Sequence, residues 1–472
     1  VGQREDWRKL PLVTIDPPDA KDHDDAVHAE PDASPENAGG FILTIAIADV
    51  AAYVRPGTAL DREAAIRGNS VYFPDRVVPM LPERISNDLC SLKPREDRPA
   101  LACRVVIRAD GRRKSHTFHR IMMRSEAKLA YAQAQAAIDG HPDETTAGLV
   151  EPILRPLWDA YAALKRARDD REPLDLDLPE RKILLKPDGT VDRVVIPERL
   201  DAHRLIEEMM ILANVCAAET LEKHRTPCMY RIHDAPSMEK LLALKEFLKT
   251  LDISLPKAEL LRPSNFNQIL ARAKGTESTE LVNQVVLRSQ SQAEYSPENI
   301  GHFGLNLRRY AHFTSPIRRY ADLIVHRGMI KALGLGQDGL TEGQASALAE
   351  IAAEISAAER RAMAAERETV DRLIAAHLAD RVGDIFGARI SGMTRSGLFV
   401  KLDDTGADGF VAASTIGGDY YRYEEGLQAL VGTRTGETWR LGDTVTVRLV
   451  EAAPVAGALR FELMSDGRRG LA

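Results

Sequence analysis

Apolar positions in the first third of the chain recur with the period of strands. Leu12, Val13 and Ile15 make a short apolar run, and residues 41–50 (Phe-Ile-Leu-Thr-Ile-Ala-Ile-Ala-Asp-Val) make a longer, β-branched one. Both read as strands, the second buried and returning beside the first. Residues 102–109 and 115–124 carry strand patterns on either side of Asp110-Gly111, a turn pair. From about residue 125 the period becomes helical, with apolar residues three and four apart over 127–139, 150–167, 200–223, 237–250, 277–292, 317–333 and 341–379. The last segment runs through Ala-Glu-Arg-Arg-Ala-Met-Ala-Ala-Glu-Arg without Gly or Pro and reads as a solvated bundle helix. After residue 382 short strands return at 385–390, 397–402, 409–411, 443–450 and 459–463, with a loop rich in Tyr and Gly between the third and fourth. Five short strands in so few residues fit a small Greek-key barrel of the OB type. The predicted fold class is α+β, a β-rich first third and a helical middle followed by that barrel. The polar residues 1–10 read as a linker.

Composition narrows this picture. A chain of 472 residues is long for one domain. No apolar run approaches the roughly 20 residues that a membrane helix needs, so no membrane association is expected. Cys90, Cys103, Cys216 and Cys228 are widely spread without a CxxC pair. That spacing argues against a disulfide framework and structural zinc, and fits a reducing cytoplasm. The chain opens on Val1 without a signal-like segment, so an upstream region is expected to be missing or removed. A net charge of −7 does not advertise nucleic-acid binding, and any such contact must use a local basic surface.

The candidate chemistry sits between the first two apolar runs. Asp16, Asp19, Asp22, Asp24 and Asp25 fall within ten residues, and Pro17 and Pro18 turn the chain out of the strand into a loop. Two like charges about 4 Å apart repel by roughly 4 kcal/mol at an effective dielectric near 20. Carboxylates that face one another therefore call for a cation, and hard, oxygen-seeking Mg²⁺ or Mn²⁺ is the natural one. The alternative is a solvated acidic turn. An EF-hand does not fit, because the loop lacks that motif's central Gly and closing Glu. Farther on, residues 301–330 hold Arg308, Arg309, Arg318, Arg319 and Arg327 against a single acid, Asp322. This is the local basic patch that the net charge conceals. Ser315-Pro316-Ile317-Arg318 puts Arg318 at the start of a helix, where Pro is favoured and backbone N–H groups face anions.

Ile15-Asp16, followed by Asp22-His23-Asp24-Asp25-Ala26, resembles the signature of the RNB catalytic domain of the ribonuclease II and ribonuclease R exoribonucleases. The resemblance continues, in the family's order, through Ala48-Asp49-Val50, Ser70-Val71-Tyr72-Phe73-Pro74, Pro79-Met80-Leu81-Pro82 and Leu89-Cys90-Ser91-Leu92. It resumes in Tyr295-Ser296-Pro297-Glu298-Asn299-Ile300-Gly301-His302-Phe303-Gly304-Leu305 and in Thr314-Ser315-Pro316-Ile317-Arg318-Arg319-Tyr320. The closing strands look like the RNA-binding barrel named after ribosomal protein S-one. The resemblance implies a linker over 1–10 from an absent N-terminal region, a catalytic domain over 11–380 built as a mixed sheet surrounded by helices, an RNA-binding barrel over 381–466 and a tail over 467–472. The cold-shock barrels that usually precede the catalytic part are not in this sequence, which puts RNA recruitment in doubt but not the chemistry.

The family's functional positions carry over individually. Asp16, Asp22, Asp24 and Asp25 match the metal-binding acids, expected to hold one or two Mg²⁺ ions with Mn²⁺ as a substitute. Asp24, Asp25 and Arg318 are the expected catalytic groups, Arg318 facing the charge that develops on phosphate. Asp19 reads as a turn residue. His23 stands where the family has an apolar residue and reads as packing or as support for a ligand. Tyr72 matches an aromatic that stacks on the RNA 3′ end, and Glu366 an acid that reaches the terminal nucleotide. Arg319 is expected on backbone phosphate or on an acidic neighbour. Tyr230 is either a second stacking partner or a core residue. Phe399, Lys401 and Phe410, with Tyr421 as a further candidate, are the expected RNA face of the barrel. Ala412 replaces a histidine common in the family. The implied activity is metal-dependent, processive 3′→5′ hydrolysis of single-stranded RNA to nucleoside 5′-monophosphates by a monomer. A catalytically silent RNA-binding protein on the same scaffold is the alternative, and a DNA nuclease is disfavoured by the family analogy alone.

Overall fold

Leu12, Val13 and Ile15 do lie on a strand, and all three are fully buried. In the computed structural model, which describes residues 4–256 and 260–469, the catalytic part is built on strands β1 (Glu5–Asp6), β2 (Leu12–Asp16), β3 (Asp25–Pro31) and β4 (Phe41–Ala48). A small hairpin follows, β5 (Val71–Tyr72) with β6 (Val77–Val78), and then the long strands β7 (Asp97–Ile107) and β8 (Arg113–Ala130). The six-stranded sheet has the order β1-β8-β2-β3-β4-β7, and β8 pairs again with β7. β8 manages this by length: residues 113–124 run antiparallel to β7, while 125–130 run parallel to β2.

That length was not evident from the helical reading of 127–139. Met123, Ser125, Ala127 and Leu129 are buried while Arg124, Glu126 and Lys128 are exposed, which is the period of a strand. Pairing with β2 overrides the helix propensity of Ala, Glu, Lys and Leu, and the helix begins only at Tyr131. The expected linker likewise contributes a short strand to the sheet, Glu5–Asp6; residues 1–3 lie outside the described ones. Glu5 and Asp6 pair with Ile121 and Met122, Trp7 packs on the ring of His119 with centroids 4.8 Å apart, and Arg4 makes a 2.6 Å ion pair with the buried Asp49.

Helices cover the sheet over Arg155–Arg171, Asp201–Lys223 and Tyr320–Leu333, sharing one core with it through Leu157, Leu205, Leu323 and Ile330. Met238–Lys249 and Thr279–Ser289 form a smaller core with a helix, Pro263–Ala273, that periodicity did not reveal. The long segment resolves into Glu342–Ser346 and Leu348–Leu378. It is not simply solvated. Leu348, Ala352 and Ile355 belong to the catalytic core, whereas Ile374, Ala375 and Leu378 belong to the core of the barrel. Gly68 ends the helix Ala59–Arg67 with φ +72°, and a Cβ there would stand 2.9 Å from Ala358. Only Gly combines that backbone with so close an approach to the long helix.

The five expected barrel strands are present as Ile385–Thr394, Gly397–Leu402, Asp408–Ala412, Thr444–Ala453 and Ala458–Leu463, closed into a barrel. The Tyr- and Gly-rich segment is more than a loop. Tyr421–Glu424, Ala429–Gly432 and Glu437–Arg440 pair as a second sheet, joined by Arg468–Arg469 from the expected tail. Residues 470–472 lie outside the described ones.

Arg327, expected in a basic patch, is instead fully buried. Its Nη2 donates to Asp61 Oδ1 at 2.8 Å and to the Val54 carbonyl at 2.6 Å. Tyr320 Oη and the Gly57 N–H also donate to the Asp61 carboxylate. Removing one partner of such a pair strands the other charge in the core, so Asp61→Ala should cost about 3–5 kcal/mol. A large fall in the thermal midpoint, read by circular dichroism, would show it; an unchanged melt would show that the pair carries no load.

Candidate active site

The acidic loop leaves β2 at Asp16 and rejoins the sheet at Asp25, the first residue of β3. Two buried backbone contacts pin it: the Ser91 hydroxyl accepts the His23 N–H at 3.0 Å, and the Leu92 N–H donates to the His23 carbonyl at 3.0 Å. This explains the Leu89-Cys90-Ser91-Leu92 motif as a clamp on the loop. His23 is buried, and its Nδ1 lies 2.7 Å from Asp16 Oδ2. It supports an acid, as its place between Asp22 and Asp24 suggested. Asp19 is exposed on the turn.

Asp24 joins the loop to the arginine segment. Its Oδ1 accepts the Ile317 N–H at 2.9 Å, and its Oδ2 lies 3.8 Å from Arg318 Nε. Asp25 Oδ2 is buried with no hydrogen-bond partner. Burial pushes the Asp22, Asp24 and Asp25 carboxyls upward. Arg318 opposes this for all three, while neighbouring carboxylates add to it. Desolvated, mutually repelling acids with an orphaned oxygen suit a cation between them. Among the described residues no group of three or more His, Cys, Asp or Glu side chains is drawn into a closed ligand set. Mg²⁺ asks for little more, since it keeps several waters and substrate phosphates in its shell and uses one or two carboxylates.

Arg318 is not at a helix start. Pro316 and Arg318 lie in a turn, and the helix opens at Tyr320 because Arg319 is extended and bridges to Asn69. The Ile317 N–H is not open to an anion, because it donates to Asp24. Arg318 is held by Nη2 on Ser315 Oγ at 3.0 Å, with its side chain 43% exposed. Arg319 meets the acidic neighbour: Nη2 donates to Asp322 Oδ2 at 3.0 Å and Nε lies 2.9 Å from Oδ1. Arg309 pairs with Glu222 at 2.6 Å. The five arginines therefore do not form one basic surface.

Tyr72 and Glu366, 294 residues apart, come together: the Tyr72 N–H donates to Glu366 Oε1 at 2.8 Å. The Tyr72 side chain is 41% exposed at the residue level, and its phenol is pushed up to about 12 by partial burial, with Asp22 and Asp24 adding and Arg318 opposing. Ser70, two residues before Tyr72, donates its N–H to the Arg318 carbonyl at 2.9 Å, which ties this segment to the arginine turn. Tyr230 is a core residue, buried on the strand Tyr230–Ile232. On the barrel, Phe399 and Phe410 are cross-strand partners with ring centroids 5.2 Å apart, and Lys401 follows two residues on along the same face. Tyr421 is buried in the second sheet with its hydroxyl on Glu437. Ala412 pairs with Gly397 and offers no ring.

One neighbour of the acids was missed. Tyr131 follows Ala130, the partner of Asp16 in the parallel β2–β8 register. Burial pushes its phenol upward, and Asp25 and Asp16 add to the shift. Its signal lay in that register, which the helical reading of 127–139 hid.

Comparison with known proteins places the chain in a family. The RNB domain matches residues 4–334, and the S1 RNA binding domain matches residues 379–462. The chain is 41% identical to ribonuclease R of Escherichia coli over 98% of its own length and 58% of that protein's. It is 40% identical to ribonuclease R of Aquifex aeolicus, over 98% and 65%. It therefore spans less than two thirds of the curated relatives it matches. A solved structure, Mycoplasma genitalium RNase R in complex with ribose methylated single-stranded RNA, superposes with a TM-score of 0.92 at 30% identity, covering 98% of this chain and 72% of that one. With the RNB domain matched over residues 4–334, most of its length, the chain belongs to the RNB-domain family.

Proposed function

We propose that this chain is the catalytic part of a metal-dependent, processive 3′→5′ exoribonuclease, which hydrolyses single-stranded RNA to nucleoside 5′-monophosphates in cytoplasmic RNA turnover, working as a monomer. The single observation that carries this reading is Asp24, whose carboxylate is bonded to the Ile317 amide and faces Arg318, so that acids and guanidinium converge on one phosphodiester. Ribonuclease R relatives, and a neighbour solved with single-stranded RNA, support the substrate class. No helix among the described residues is long and apolar enough to cross a membrane.

In this mechanism Asp16, Asp22, Asp24 and Asp25 would hold Mg²⁺, with Mn²⁺ able to replace it. When bound, the ion supplies an activated water and stabilises the departing 3′ oxygen. His23 holds Asp16 in place. Arg318 receives the charge that builds on the non-bridging oxygens. Tyr72 stacks on a base near the 3′ end, a contact worth roughly 1–3 kcal/mol that any base can make. Glu366 holds the Tyr72 backbone and meets the terminal nucleotide. Phe399, Phe410 and Lys401 take the RNA farther upstream. Arg319 and Tyr230 take no part in RNA contact, being committed to Asp322 and to the core.

Incubating 5′-labelled RNA and DNA oligomers with Mg²⁺, with and without EDTA, tests the reading. Stepwise shortening of RNA to a short stub, absent with EDTA and absent on DNA, is the expected result. Retention of RNA without cleavage would instead support a silent RNA-binding protein, and equal cleavage of DNA a broader nuclease. The intact aspartate set argues against the silent alternative, since a protein that only binds RNA would be free to lose buried acids that repel it.

A further inference from the structure

Asp322 lies in the first turn of the helix Tyr320–Leu333 and is fully buried. Its Oδ2 accepts the Ser315 N–H at 2.7 Å and an Arg319 N–H at 3.0 Å. Ser315 passes the contact on, its Oγ accepting from Arg318 Nη2 at 3.0 Å. Two linked contacts thus run from a buried acid through Ser315 to the guanidinium that faces Asp24. The same turn is tied from other sides: the Ile317 N–H is on Asp24, and the Arg318 carbonyl accepts the Ser70 N–H at 2.9 Å, two residues before Tyr72.

Arg319 completes the clasp. Both its Nε and Nη2 face the Asp322 carboxylate, and its backbone bridges to Asn69. A buried ion pair is often no more stabilising than an apolar pair of the same volume. What this pair does supply is a fixed geometry, since the carboxylate that neutralises Arg319 also orients the Ser315 amide.

We propose that Asp322, through Ser315 and with Arg319 as its counter-charge, is a positioning residue that fixes the orientation of Arg318 for phosphodiester hydrolysis. Its carboxylate is held by Ser315 and Arg319 rather than by a metal-binding acid. Its effect is confined to where the guanidinium points, and a misplacement of about 1 Å can cost 10²-fold in rate. The inference rests on the phosphodiesterase reading above.

A double-mutant cycle on single-turnover cleavage of 5′-labelled RNA tests it. Asp322→Asn keeps an acceptor for the Ser315 amide but removes the charge that holds Arg319. It should slow cleavage roughly 10- to 100-fold. RNA affinity, measured without Mg²⁺, should stay within about two-fold, and the variant should add less than about two-fold in an Arg318→Ala background, the scatter expected of non-coupled measurements. An unchanged rate in Asp322→Asn, or the same fold-loss in both backgrounds, would overturn the proposal and leave Asp322 a stability residue. Should Asp322→Asn fail to fold, Ser315→Ala carries the same cycle, since it removes only the hydroxyl that Arg318 grips. A loss confined to the Arg318 background supports the proposal, and no loss or an equal loss in both overturns it. A wild-type protein that leaves RNA intact would overturn the functional reading as well, whereas an active wild type beside an equally active Asp322→Asn overturns this inference alone.

Discussion

Asp25→Asn should abolish RNA turnover while making the metal-free protein more stable. The Asp25 Oδ2 is buried without a hydrogen-bond partner, and burial and Asp16 both disfavour its charged form. Losing a carboxylate that holds the ion removes several kcal/mol of transition-state charge stabilisation; about 4 kcal/mol corresponds to a loss on the order of 10³ in rate. RNA affinity should change little, because the base and backbone contacts lie elsewhere. The stability effect has a definite sign. A carboxyl whose folded-state pKa is raised contributes stability that is present below its ordinary range, near 4, and is lost as pH rises through the folded value, by at most about 1.4 kcal/mol per pH unit. In EDTA, the wild type minus the Asn variant should therefore fall as pH is raised from 5 to 8. Mg²⁺ should raise the wild-type melting temperature and leave that of the variant almost unmoved. Full activity in Asp25→Asn, or an equal Mg²⁺-induced shift in both proteins, would refute the metal assignment.

Arg318→Ala has the second-largest expected effect. The guanidinium is tethered at Ser315 Oγ, yet it stands 3.8 Å from Asp24 with its side chain 43% exposed. It is steered but not consumed, and so is free to meet a phosphate. Removing a preorganised donor aimed at developing charge typically costs about 10²–10³ in rate. The loss should fall on the single-turnover rate, with RNA binding within a few-fold of wild type. Lysine at this position should restore only part of it, because an ammonium cannot clamp two oxygens with a planar fork. A wild-type single-turnover rate in Arg318→Ala would remove the residue from the chemistry.

The acidic loop was legible from the sequence because its residues are neighbours in the chain, and so were the barrel strands, each bounded by its own turns. What escaped depended on partners far away in sequence. Residues 125–130 carry helix-forming side chains but answer to β2. Glu5 and Asp6 look like linker until the strand at Ile121 is in place. Arg319 and Arg327 count as basic surface in the sequence, whereas in the fold one is committed to Asp322 and the other to Asp61. Tyr230, balanced in the sequence between stacking and packing, lies buried on a short strand that only distant pairing creates. Local composition names the chemistry, and long-range pairing decides which residues are free to perform it.

The helix Leu348–Leu378 has a further consequence. It is a rod about 46 Å long at 1.5 Å per residue, embedded at one end in the catalytic core and at the other in the barrel, and it carries Glu366 between them. Cutting the barrel away would strip Ile374, Ala375 and Leu378 of their cover. A truncation meant to remove an RNA handle would also fray the lever that braces Tyr72, so its phenotype would mix lost grip with a loosened vice.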